Sequence, residues 1–255
     1  MPGIQVHMPT ISFSGQAAKW RFFSFGLSLL LGAALYVGET SPFFRAAAPQ
    51  VSGNDRLPAA EIEAVLASTN VHIFALVPRE MEQRLRLNFP ELLDADVHVW
   101  LPNTVTVEVH ERRPIIVWSQ DSGYTWIDEK GVAFRPRGSA DGLITVQAQN
   151  APVPLTTAQG DPLSPTPFIS TTLVEAVQLL APHAPTGTGI IYDAQYGLGW
   201  IDNRGWNVFF GDQPRDMALK LRVYESMVQM VSSKGIQPAF MSVQYPGAPY
   251  YRMAQ

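Results

Sequence analysis

Residues 94–114 read DADVHVWLPNTVTVEVHERRP, and their alternation decides what kind of structure surrounds them. Ala95, Val97 and Val99 fall on one side of an extended chain, and Val105, Val107 and Val109 on one side of another. A period of two sends successive side chains to opposite faces, so each run is a half-buried strand. The opposite faces carry Asp94, Asp96 and His98 in the first, and Thr104, Thr106, Glu108 and His110 in the second. Leu101-Pro102-Asn103 is the turn between them. Two strands with one apolar face need a cover.

The cover lies upstream. Leu57-Pro58 opens a helix with Glu61 and Glu63 in its first turns, where the macrodipole favours acids. Ile62, Val65 and Leu66 form its apolar stripe. Pro78 starts a second helix to Asn88 that turns Met81, Leu85 and Leu87 inward, while Arg79, Glu82, Arg84 and Arg86 stay in water; Pro90 stops it. Ahead of both, Phe43–Val51 reads as an extended strand ending at the turn cluster Ser52-Gly53-Asn54. The order β-α-α-β-β over 43–113 predicts a three-stranded sheet covered by two helices.

Further upstream, Phe22–Val37 reads FFSFGLSLLLGAALYV and contains no charge. With Gly38 it spans about 25 Å as a helix, slightly short of a ~30 Å hydrocarbon core. Trp20, Arg21 and Tyr36 can complete the span from the interfaces. Lys19 and Arg21 precede it, and no acid occurs before Glu39. The positive-inside rule therefore predicts a cytoplasmic tail at 1–21, a single-pass anchor at 22–38 and an exterior remainder. A cleaved signal peptide is the rival reading; its one small-x-small site, Ala46-Ala47-Ala48, lies far from Val37.

Downstream, 114–255 changes to short strands and tight turns. Ile115–Gln120, Tyr124–Asp128, Val132–Phe134 and Gly142–Val146 come first, then a proline-rich loop over 151–167. Ser170 caps a helix carrying Leu173, Val174, Val177 and Leu180. Strands at Ile190–Asp193, Leu198–Asp202 and Asn207–Phe210 lead to a helix from Pro214 to about Ser233, with Leu221, Tyr224, Val228 and Val231 at core spacing. Phe240–Tyr245 is the last strand, before Pro246-Gly247-Ala248-Pro249. The class is α+β: an anchor, a small β-α-α-β-β module and a mainly antiparallel β domain with two helices.

Composition narrows the function. A hydrophobic content of 46% suits cored domains, and a net charge of −4 without a basic block argues against nucleic acid. The chain has no cysteine, and its five histidines (7, 72, 98, 110, 183) show no metal-ligand spacing. No nucleophile elbow or P-loop occurs. Gly197-Leu198-Gly199 lacks the third glycine of a dinucleotide site, since Asp202 stands there. His98 and His110 read as solvated strand residues, and Glu61/Glu63 and Asp94/Asp96 as a helix start and an exposed strand face. The residues predict no enzyme, cofactor, metal or small-molecule substrate. Binding surface remains. Phe240–Tyr245, with Met241, Val243 and Tyr245 on one face, lies either at a sheet edge open to a partner strand or mid-sheet between earlier strands.

In this order the residues resemble the FtsQ/DivIB family of bacterial cell-division proteins. Val51-Ser52-Gly53-Asn54, Arg56-Leu57-Pro58, Ile73-Phe74, Leu101-Pro102-Asn103-Thr104 and the run from Val107 to Pro114 carry the first half. Trp118, Tyr124–Asp128, Gly131–Phe134, Gly205–Gly211, Lys220-Leu221 and Tyr245 carry the second. The resemblance implies a POTRA module at 43–113, an FtsQ-type β domain at 114–255 and a non-catalytic divisome scaffold in the cell membrane at the septum. It further implies FtsB- and FtsL-like partners, with a partner strand added to the last strand at Ser242, Val243, Gln244 and Tyr245, and at Gly247 and Tyr250. Ser242-Val243-Gln244 stands where the family often has Asp-Leu-Arg. The alternative from another class is a POTRA-type envelope protein that handles polypeptides in transport or assembly.

Overall fold

The computed structural model describes residues 15–155 and 165–253. The expected cytoplasmic tail as far as residue 14, and 156–164 of the proline-rich stretch, lie outside the described residues. Helix α1 (Gly15–Thr40) is longer than the apolar run at its heart. Its segment Trp20–Thr40 is unburied and long and apolar enough to cross a membrane. Its 21 residues reach about 31 Å, so the shortfall expected from 22–38 disappears.

The first module follows a 3-10 turn at Pro42–Phe44. Strand β1 is only Gln50–Ser52, because 45–49 runs extended without a ladder partner along most of its length. Helices α2 (Ala59–Leu66) and α3 (Pro78–Asn88) then cover a sheet of β1, β2 (Leu92–Trp100) and β3 (Thr104–Glu111) in the order β1-β3-β2. Strands β2 and β3 pair antiparallel with Val97 opposite Val107, and β1 runs parallel to β3. Ile62, Leu66, Met81, Leu85, Val97 and Val107 are buried together, each such side chain contributing roughly 1.5–3 kcal/mol. Leu87 is exposed, contrary to the helical-stripe expectation, since two residues beyond the buried Leu85 it lies about 200° around the helix, on the opposite side. Gly53 turns the chain out of β1 at φ +78°, with the Val109 carbonyl where a Cβ would sit.

The second module is one nine-stranded sheet, ordered β12-β11-β10-β9-β8-β7-β4-β5-β6. Its strands are β4 (Pro114–Gln120), β5 (Gly123–Asp128), β6 (Ala133–Phe134), β7 (Ile144–Ala148), β8 (Ile190–Asp193), β9 (Gly197–Ile201), β10 (Asn207–Gly211), β11 (Phe240–Ser242) and β12 (Tyr250–Arg252). Five neighbouring pairs are antiparallel; β4·β7, β7·β8 and β10·β11 are parallel. Parallel pairs need long crossovers, and α4 (Thr171–Leu180) and α5 (Met217–Ser233) supply those of β7–β8 and β10–β11. Ser170 caps α4 through its side chain to Leu173 N–H, at 3.1 Å.

Two arginines join the modules. Arg112 donates from Nη1 to Asp128 Oδ2 (2.6 Å) and from Nε to the Pro90 carbonyl (3.0 Å), while Arg137 reaches Glu91 and Glu61 of the first module.

Candidate partner-binding edge

Parallel pairing of β11 with β10 follows from the α5 crossover, and it sets Met241 beside Val208. The chain then turns through Tyr245–Ala248, where Ala248 N–H donates to the Tyr245 carbonyl at 2.9 Å, and returns as β12. Met241 pairs with Tyr251 and Ser242 with Tyr250. The strand expected at Phe240–Tyr245 is therefore not the edge: it ends at Ser242 and is enclosed on both sides by strands of its own sheet. The edge belongs to β12, a three-residue strand that the sequence reading overlooked. A hairpin signal was there, in Pro246-Gly247 followed by the aromatic pair Tyr250-Tyr251.

This divides the six residues implied by the resemblance. Ser242 and Val243 are buried, and Val243 N–H donates to the Phe209 carbonyl at 2.9 Å. Gln244 is half-buried against Gly211. Tyr245, Gly247 and Tyr250 are exposed and lie along the turn and strand of the open edge. The alternation that would set Tyr245 on one face with Met241 and Val243 stops with β11, and Tyr245 is 67% exposed.

Behind the edge the sheet has two unlike faces. Met241 and Val243 enter the core under α5, with Tyr251 packed against it. On the other face Phe240 lies between Phe209 (5.5 Å), Tyr196 (4.8 Å) and Tyr250 (5.9 Å). The Arg252 guanidinium sits 5.4 Å from the Phe240 ring and 5.3 Å from that of Tyr250. The edge thus offers backbone hydrogen-bonding groups backed by aromatic surface and one cation.

The long strand β2 is also outermost in its sheet, but side chains from α3 and from β2 itself close it. Glu82 Oε1 accepts the Val97 N–H at 3.1 Å, Asp94 Oδ1 accepts that of Ala95 at 3.0 Å, and the pairing is bulged between Leu92 and Asp94. Such side-chain caps and bulges are how natural edges resist another strand. At the opposite end of the large sheet, β6 is two residues long.

The other singled-out residues take structural places. His98 lies opposite Thr106 and His110 opposite Asp94, so the two histidines are not brought together. Glu61 pairs with Arg137. Gly197 and Gly199 belong to β9, and Gly199 passes against the Val208 carbonyl, too close for any side chain. Asp202 accepts from the buried Tyr224 hydroxyl and from the Arg204 N–H, fixing the turn into β10. Burial and the Asp202 carboxylate push the Tyr224 phenol well above its ordinary range.

Comparison with known proteins agrees with this architecture. Residues 46–112 match the family model described as POTRA domain, FtsQ-type. The chain is 31% identical over 118 residues to the "Cell division protein FtsQ" of Streptomyces bingchenggensis, covering 44% of each protein. It is 28% identical over 109 residues to the "Cell division protein FtsQ" of Streptomyces coelicolor, covering 42% of this chain and 41% of that protein. The matched stretch is less than half the length of either relative. The chain thus carries an FtsQ-type POTRA domain beside an apolar helix long enough to span a membrane, and over less than half its length it is similar to two FtsQ cell-division proteins.

Proposed function

We propose that this protein is a non-catalytic scaffold of the bacterial divisome, binding FtsB- and FtsL-like bitopic proteins by strand addition at β12. Residues 1–21 form its cytoplasmic tail and 22–38 its anchor. The POTRA module at 43–113 and the β domain at 114–255, with the proline-rich stretch 151–167, stand outside the membrane at the septum. One observation carries the binding reading: among the described residues β12 borders one strand only, and its aromatic flank includes Tyr250. Backbone groups supply affinity in strand addition, so the departure at Ser242-Val243-Gln244, now seen inside the sheet, does not weaken it.

Neighbouring residues of an edge strand point their N–H groups to opposite sides, which makes the test internal. Tyr250→Pro and Tyr251→Pro should differ in kind, one lowering Tm by breaking the bond to β11 and the other leaving Tm unchanged. In membrane nanodiscs, titrated with the extracytoplasmic segment of the FtsB-like protein from the same genome, the second should lose affinity about tenfold, the worth of roughly one hydrogen bond. Unchanged affinity in both would refute strand addition at β12.

A further inference from the structure

Four large apolar side chains at one end of the POTRA module enter neither core. Phe43 is 61% exposed, Phe74 63%, Trp100 60% and Leu101 64%. They come from three separate places: the 3-10 turn after α1, a second 3-10 turn at Ile73–Ala75, and the β2–β3 turn. The fold gathers these places. Arg45 bridges to His72, Ala47 N–H donates to the Asn103 carbonyl at 2.9 Å, and β1 begins beside the start of β3. The Phe44 ring lies 5.4 Å from Phe43 and 5.6 Å from Phe74.

The same end grips α1. The last carbonyls of a helix have no partner within it, and His72 Nε2 lies 3.0 Å from that of Gly38. Leu35, Val37 and Gly38 share one groove with Phe44 and Phe74. Leu35 precedes the helix end at Thr40 by about 7.5 Å of rise, so these aromatic residues stand level with the final turns of α1 rather than beyond them. Phe43 follows Thr40 by three residues and cannot be more than about 11 Å away.

We propose that this end of the POTRA module is seated in the outer phospholipid interface of the bilayer crossed by α1. Phe43, Phe74, Trp100 and Leu101 are its apolar anchors, and exposed Arg45 faces the phosphates. The proposal rests on the reading of α1 as a membrane span. Given that span, the lipid surface is the one partner the patch always meets, because the short link leaves it nowhere else. Aromatic rings at the headgroup level and apolar side chains at the acyl boundary are what such a surface accepts. The module would then be held to the membrane at several points around the helix.

The chain has no cysteine, so single replacements label it uniquely. Leu29→Cys, Phe74→Cys, Leu101→Cys and Arg215→Cys, each in the full chain with a nitroxide label, are placed in nanodiscs of phosphatidylcholine and phosphatidylglycerol. Power-saturation EPR then reads collisions with oxygen and with a water-soluble nickel chelate. Residue 29 should read as deep hydrocarbon and residue 215 as water. Residues 74 and 101 should collide with nickel about fivefold less than 215, at headgroup depth. Nickel access at 74 and 101 equal to that at 215, with 29 still in lipid, overturns the proposal and spares the span. Nickel access at 29 overturns both. Shielding at 74 and 101 only after an FtsB- or FtsL-like protein is added also overturns it, by making the patch a protein contact.

Discussion

Glu111 does more for the fold than its position at the end of β3 suggests. Its carboxylate accepts the N–H groups of Arg56 (2.9 Å) and Leu57 (2.8 Å) and the Arg56 Nε (2.9 Å), pinning the start of α2 to the sheet. Burial works against its charge, but the Leu57 and Arg56 N–H groups and the Arg56 guanidinium outweigh it, leaving the acid below its ordinary 4.5. A carboxylate depressed on folding stabilises the native state above its unfolded pKa, and that contribution is lost as pH falls through the folded value. Glu111→Gln should therefore cost about 1–2 kcal/mol at pH 7, and the gap to the parent should close below about pH 4, as read by denaturant unfolding across pH. None of this was legible in the sequence, where Glu111 is one residue of a charged run; its partners lie 54 and 55 positions upstream.

At the scale of elements, β2 and β3 were readable because each has one wet and one dry face, and alternation encodes that asymmetry. Strands β8 to β10 are buried on both faces, so their residues carry no alternation to show order or direction. The position of β11 depended on two things absent from its own residues: the α5 crossover, which sets it parallel to β10, and the three-residue β12. The edge of β2 depends likewise on a residue of another element, Glu82 of α3, held 3.1 Å from the Val97 N–H. Glu82→Ala should uncap that strand with little change in Tm. The variant should self-associate at high protein concentration, which sedimentation velocity would detect, while the parent stays monodisperse.

Across the whole molecule, the two modules share one joint. Arg112 is buried with Asp128 and also holds the Pro90 carbonyl, so it binds the β domain to the end of α3's loop. Removing one member of a buried pair leaves the other charge stranded, at a cost of about 3–5 kcal/mol. Arg112→Ala should split the calorimetric unfolding of the full chain into two transitions, one for each core, where the parent shows one. Arg137, partly exposed between Glu61 and Glu91, adds less on its own.

A stiff joint makes the part of the chain beyond α1 a strut, and a strut has a length. If α1 spans the membrane as proposed, the reach from its end to β12 becomes a fixed altitude above the lipid instead of a range swept by a hinge. Under the strand addition proposed for β12, a partner rooted in the same bilayer would carry its pairing segment at that altitude, so the spacing between its own span and that segment would select it as strictly as the residues it presents.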